Sequence, residues 1–391
     1  MGLSPTAVSR ACLAAALAAG CQTYEFEPAP PHAVAETTVS RRVVARRLAP
    51  DLMLVVDRSG SMGTAMAGGG TRLSALQEAM SGFLAAYGSK VRVGLAEFPS
   101  PAAADGCAPT GSVEVPIPAS ADVPAELTAA AEEVRGSLSR LTSGGGTPLA
   151  ASLRYVQGYF STLVADSARD DALRDKVVLV LTDGQPNCNQ QNPNQCCGAV
   201  DMQACSRAAC RCTQAACPAS SCAIGCLDDA ASVAAVTSLG EGGVHTVVVG
   251  FGAETAIGLA RDVLDALAEA GGFARACPAG TDAECAPGTC DTATLRCSTR
   301  YYQADDGAAL AKALSEIGGC LPVDCVWALD SPPSDPRFLA VEVDGLATPP
   351  GPDTWSYGAG KVTFAGKMCE RLMESTAAAP VKVEFRTLEA L

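Results

Sequence analysis

Five oxygen-bearing side chains are spaced so that they could hold a cation. Asp57-Arg58-Ser59-Gly60-Ser61-Met62 presents one carboxylate and two hydroxyls within five residues, and Thr182-Asp183-Gly184 supplies a second carboxylate. Between them, Gly144-Gly145-Gly146-Thr147-Pro148-Leu149 offers a flexible loop, a hydroxyl and a proline able to open a helix. Carboxylate and hydroxyl oxygens, with no thiolate or imidazole among them, suit a hard cation. At most two carboxylates leave a divalent ion under-neutralised, and so electrophilic toward a carboxylate from outside. The competing explanation, that these side chains only cap turns and helices, leaves two carboxylates in an apolar crevice with no cation, which is costly.

Other chemistries find little material. The 391 residues hold two histidines, His32 and His245, so catalytic triads and His-rich metal sites are poor fits. His245 begins an apolar strand and reads as a core or edge residue. Neither G-x-x-x-x-G-K-[ST] nor G-x-G-x-x-G after a strand is present, so no phosphate cradle is expected. With 42 acidic against 28 basic residues and a net charge of −14, nucleic acid is excluded as a natural partner.

Positioning the five oxygens requires a sheet whose strands end together. Apolar runs Leu52–Val56, Val91–Phe98, Val177–Leu181 and Val244–Phe251 alternate with helical stretches at Leu73–Tyr87, Pro124–Leu141, Pro148–Leu163, Asp228–Leu239, Ala256–Glu269 and Gly307–Ile317. Short strands are expected at Val113–Ile117 and Thr299–Gln303. Buried strands alternating with helices imply an α/β fold with a doubly wound, mostly parallel sheet covered on both faces. Asp57 and Asp183 would then stand at strand C-termini flanking the point where strand order reverses, the place where open α/β sheets bind ligands.

In this arrangement the residues resemble the von Willebrand factor A (vWA) family, whose D-x-S-x-S motif is matched by Asp57, Ser59 and Ser61, its loop threonine by Thr147 and its late aspartate by Asp183. The resemblance covers about Pro50–Gly319. It implies a metal-ion-dependent adhesion site on these five residues, binding Mg²⁺ or another divalent cation such as Mn²⁺ or Ca²⁺, with one coordination position left for an acidic group of a partner.

Nineteen cysteines point to an oxidising compartment. Residues 1–21 carry one positive side chain, Arg10, and the apolar run Ala11–Ala19, a signal-peptide pattern too short to span a membrane. Leu17-Ala18-Ala19-Gly20-Cys21 resembles a bacterial lipobox, with the Leu one place further out than usual, and makes Cys21 the expected acylation site. Residues 22–49 read as a Pro-rich tether, with a basic cluster at Arg41, Arg42, Arg46 and Arg47 and an edge strand through Val43 and Val44 as the alternative. The vWA domain is expected over 50–320, interrupted by cysteine-rich insertions at 187–226 and 277–297. The second insertion is compact enough to close two disulfides by itself; one cysteine of the first is expected to pair outside it, with Cys107 a candidate. Short alternating runs at Phe338–Val343, Lys361–Phe364 and Val381–Phe385 make residues 321–391 a small antiparallel β module, with a helix near Lys367–Glu374.

The expectation is an exported lipoprotein of a bacterial cell envelope, held to the membrane by its lipid anchor on the periplasmic or cell-surface face. It would bind a divalent cation and, through it, a carboxylate of a protein or polymer partner, without catalysis. Two rivals remain: a disulfide-rich structural envelope protein that binds through its cysteine-rich loops, and a thiol–disulfide or metal-assisted enzyme. The sequence carries no signal for oligomeric state.

Overall fold

The computed structural model describes residues 38–43, 45–101, 106–119, 122–166, 171–189, 211, 226–277, 279–282, 285, 288–321, 325–333, 335–373, 375 and 381–390. Cys21, the signal segment, His32 and most of the first insertion lie outside them.

Five strands form a wholly parallel sheet: β3 (Asp51–Asp57), β4 (Arg92–Phe98), β5 (Lys176–Thr182), β6 (Val244–Phe251) and β9 (Tyr302–Ala304), in the order β4-β3-β5-β6-β9. The chain runs from β3 outward to β4 and returns to β5 on the other side, so strand order reverses between β3 and β5. Every residue of β3, β4 and β5 is buried, as continuous apolar runs require when helices cover both faces. Leu52, Leu54 and Val56 pack under α1 (Arg72–Tyr87), α2 (Pro124–Leu138) and α6 (Gly307–Cys320). Met53 and Val55 pack under α3 (Leu149–Ala165), α4 (Asp229–Glu241) and α5 (Gly258–Ala270). The doubly wound α/β architecture expected from the sequence is therefore present. The stretch 113–117 contributes only an antiparallel bridge, Leu95 to Val115, beside β4, so β5 is the third strand of the sheet in chain order rather than the fourth.

Two antiparallel sheets form the β module: β1 (Thr38–Val43), β15 (Val383–Ala390), β11 (Leu339–Val343) and β12 (Leu346–Thr348) in one, and β13 (Trp355–Gly358), β14 (Lys361–Phe364), β10 (Val326–Leu329) and β2 (Ala45–Arg47) in the other. Val341, Val343, Trp355, Val362, Phe364 and Phe385 fill the space between them, together with Val43. The module is thus not purely C-terminal. Residues 38–43 and 45–47, read from sequence as tether with an edge strand through Val43 and Val44 as the alternative, are edge strands of the two sheets: β1, which ends on Val43, pairs along β15 and β2 along β10. The reason is that Val43 completes the module's core and Arg42 meets Glu384 at 3.0 Å, a use that only the far end of the chain defines. The Cys325–Cys369 disulfide ties β10 to α7 (Gly366–Met373).

In the second insertion, disulfides Cys277–Cys290 and Cys285–Cys297 close the loop on itself around a hairpin of β7 (Cys290–Asp291) and β8 (Arg296–Cys297). Among the described residues, no helix is long and apolar enough to cross a membrane.

Candidate metal centre

Asp57 ends β3 and Asp183 follows β5, so the two carboxylates emerge side by side at the C-terminal edge of neighbouring strands. A chain of hydrogen bonds links the pair. Asp57 Oδ1 accepts from the Ser59 N–H at 2.7 Å and Oδ2 from the Thr182 hydroxyl at 2.6 Å. Ser59 Oγ lies 3.0 Å from Ser61 Oγ, and Ser61 donates to Asp183 Oδ1 at 2.7 Å. Asp57, Ser59, Thr147 and Asp183 are all buried. Thr147 lines the same cleft as Ser61 and Asp183, and its backbone N–H is held by Asn187 Oδ1 at 2.7 Å. The structure thus brings together all five residues singled out from the sequence; Cys21 lies outside the described residues.

Three loops are knitted so that these oxygens converge. Gly60 N–H donates to Gly145 O at 2.9 Å, Gly144 N–H to Arg58 O at 2.7 Å and Gly146 N–H to Gly106 O at 2.7 Å. Gly145 adopts a left-handed φ of 82°, and a Cβ there would lie 2.8 Å from Gly106 O and from Pro99. Only glycine meets both demands. The Cys107–Cys188 disulfide fastens the loop after β4 to the segment after Asp183 and packs on Gly146, whose Cβ would sit 2.8 Å from Cys188 Sγ.

Residues 52–185 match the von Willebrand factor type A domain. The chain therefore carries a vWA domain, and the matched stretch includes all five oxygen-bearing residues. Among solved structures, the pilus adhesin SpaC from Lactobacillus rhamnosus GG is 16% identical, with a TM-score of 0.42, and the match covers 90% of this chain and 41% of that one. The PilB minor pilin from Streptococcus sanguinis is 17% identical, with a TM-score of 0.41, covering 70% and 61%. Proximal thread matrix protein 1 from the mussel byssus, in a form with a zinc-occupied MIDAS motif, is 11% identical, with a TM-score of 0.37, covering 72% and 47%. This chain spans less than two thirds of the length of each of these three. A comparison with curated proteins finds no match.

Electrostatics decides whether the vWA cleft fits a cation. Asp57 is fully buried and makes no ion pair among the described residues; burial, and then the neighbouring Asp183 charge, push its carboxyl up to about 7. Burial also raises Asp183, against the hydrogen bonds it accepts from Ser61 and Arg72. Arg72 Nη1 donates to Asp183 Oδ2 at 3.0 Å, and Nη2 to Glu254 Oε2 at 2.5 Å on the cleft rim. Among the described residues the cleft thus gathers three carboxylates and one guanidinium, which pairs with two of them, and with all three ionised the deficit is the charge of one divalent cation. Among the described residues no cluster of three or more His, Cys, Asp or Glu is placed to hold a metal, so a cation at Asp57 and Asp183 would draw its remaining ligands from hydroxyls and water. The donor set fits a hard divalent ion.

The cleft, about 340 Å³, is lined on its far side by Ile257, Gly258, Leu259 and Ala260 at the start of α5. Arg72, Glu254, Asn187 and the Thr182 hydroxyl escaped the sequence reading. Thr182 had a signal, since it opens the T-D-G motif; Arg72 had none, because its partner Asp183 is 111 residues away. Both stems of the first insertion enter here: Asn189 N–H donates to Cys226 O at 3.2 Å, and Asn187 faces the cleft. His245 is exposed, with its ring edge-on to Phe273, at the opposite end of β6.

Proposed function

We propose that this chain is an exported cell-envelope protein whose vWA domain holds a divalent cation, Mg²⁺ foremost, on Asp57, Ser59, Ser61, Thr147 and Asp183. Through that cation it binds a carboxylate of a protein or polymer partner. The observation that carries the reading is the fully buried Asp57 carboxylate, with no cationic partner among the described residues, beside an Asp183 that already shares Arg72 with Glu254. When bound, the cation supplies an electrophilic position at which a water can be exchanged for an outside carboxylate. The chain's own part is to fix the donors. Thr182 and the Ser59 N–H orient Asp57, Ser61 orients Asp183, and Asn187 holds the Thr147 backbone.

Export is supported by disulfides at Cys107–Cys188, Cys277–Cys290, Cys285–Cys297 and Cys325–Cys369, bonds that persist in oxidising compartments. Lipid attachment at Cys21 belongs to the same reading, and mass spectrometry of the mature N-terminus tests it. No catalytic step is assigned to the cleft.

The direct test is calorimetric titration of MgCl₂, MnCl₂ and CaCl₂ into chelator-stripped protein. One saturable site that disappears in Asp57→Ala is expected; absence of saturable binding by all three ions in the unaltered chain defeats the proposal. Capture of partners from envelope extract, with and without chelator, then separates cation-mediated binding from binding through the cysteine-rich loops.

A further inference from the structure

Arg72 occupies a position that elementary electrostatics disfavours for a cation. It is the first residue of α1, whose start is fixed by a reciprocal capping box between Thr71 and Ser74, and helix N-termini carry partial positive charge. Its side chain nonetheless turns into the cleft and is buried, packed over Gly252. A Cβ on Gly252, which has a φ of 112°, would lie 3.2 Å from the guanidinium carbon. Two carboxylates hold the guanidinium there: Asp183, fully buried, and Glu254, half-exposed on the rim. The guanidinium and any cation on Asp183 therefore draw on the same carboxylate.

We propose that Arg72 is a built-in competitor for the cation site: it neutralises Asp183 when no metal is present and, with Glu254 as its alternative partner, sets how tightly the cleft binds a divalent cation. The inference rests on the cation-binding reading given above. It makes the site one whose charge is partly balanced without metal and raises the free-cation concentration at which the site half-fills. Glu254 is the part that makes release possible, because a guanidinium leaving Asp183 keeps a carboxylate on the cleft rim.

The test is titration of MnCl₂ and MgCl₂ into chelator-stripped wild-type, Arg72→Gln, Arg72→Lys and Glu254→Gln proteins, paired with thermal melts in chelator. Removing the charge-assisted bond to Asp183 should tighten binding in Arg72→Gln by about tenfold and lower its melting temperature in chelator. Lysine keeps the charge but cannot fork between two carboxylates, so Arg72→Lys should fall between wild type and Arg72→Gln. Glu254→Gln leaves Arg72 with Asp183 alone and should bind more weakly than wild type. Equal affinity in wild type and Arg72→Gln overturns the competitor role while leaving the cation site standing. An Arg72→Lys affinity equal to that of wild type reduces Arg72 to a background charge and also overturns it. No binding in any of the four proteins defeats the cation site itself. Should Arg72→Gln fail to fold, the Arg72→Lys and Glu254→Gln pair decides the matter.

Discussion

At the N-terminal edge of the parallel sheet, Asp51, Asp122 and Asp171 meet Arg92, Arg174 and Lys176; at the C-terminal edge, Asp183 and Glu254 share Arg72, and Asp57 has no cationic partner among the described residues. The first group is matched charge for charge. Arg92, wholly buried, contacts Asp171 and lies 3.2 Å from Asp51 Oδ1, while its Nε donates to Pro118 O. Arg174 grips Asp122 with two parallel bonds of 2.5 and 2.9 Å. Burial raises Asp122, but those bonds outweigh it and hold the carboxyl below its usual range. Lys176 donates to Arg174 O at 2.8 Å. The second group has hydrogen bonds in place of cations. A buried charge compensated within the chain is a fastening, whereas one left short of countercharge is an opening for something from outside.

The largest effect should come from breaking the closed group. Arg92→Met leaves Asp51 and Asp171 buried without their main partner, which should cost about 3–5 kcal/mol of stability. Denaturant unfolding with and without 5–10 mM Mg²⁺, on the order of the concentrations a weak site needs, should give the same loss in both. A loss that Mg²⁺ rescues would mean that the two edges are not independent.

Next comes the clamp on the open group. Cys107→Ser with Cys188→Ser removes a bond closing a long loop, worth about 2–4 kcal/mol in unfolding measurements. Because that disulfide packs on Gly146 beside Thr147, the double variant should also bind cation more weakly by calorimetry. Unchanged cation affinity would make the clamp purely a stabiliser.

How much of this contrast was legible in the sequence differs between the two edges. Asp57 and Asp183 were readable because each ends an unbroken apolar strand, and a parallel sheet brings such ends together whatever the loops do. The closed group was not, because Arg92, Asp122 and Arg174 find one another through loop paths that no periodicity encodes. The same holds for β1 and β2. Their short polar stretches left tether and edge strand as alternatives until Phe385 and Trp327, 342 and 280 residues beyond their partners Val43 and Arg47, supply the surface they cover. Val113–Ile117 was read as a strand, yet among the described residues only Val115 pairs with β4 through its backbone, because the Ile117 N–H, two residues on and aimed to the same side, donates to the Tyr159 hydroxyl at 2.8 Å.

A pH series separates the two edges without perturbing either fold. Burial, partly offset by Arg92, raises the Asp51 carboxyl to about 7, and its oxygens accept no hydrogen bond from the described residues; Asp57 is also raised to about 7. From the ordinary value of 3.8 up to about 7, the folded chain holds protons that the unfolded chain has released, so stability falls as pH rises through that window. In chelator, the melting temperature should therefore drop by several degrees between pH 5 and pH 8. Asp51→Asn should remove one share of that drop whether or not cation is present. Saturating Mg²⁺ should remove the other share, because a bound cation favours the ionised Asp57. If Mg²⁺ flattens the pH profile of Asp57→Asn as strongly as that of wild type, Asp57 is not the group responsible.

The smallest change in stability, and the one most at odds with ordinary core substitution, is expected from Asp57→Asn itself. The new amide keeps an oxygen for the Ser59 N–H. Its nitrogen faces Thr182 Oγ1, whose hydroxyl can turn to accept while offering its own proton to Gly184 O, 3.3 Å away. No hydrogen bond need be lost, and a buried charge without a cation disappears. At pH 8 in chelator the variant should be as stable as wild type or up to about 1 kcal/mol more so, while the Mg²⁺-dependent rise in melting temperature vanishes. A loss of stability in chelator would instead class Asp57 with Asp122, as a carboxylate whose bonds within the chain fasten the fold, and the contrast between the two edges would collapse.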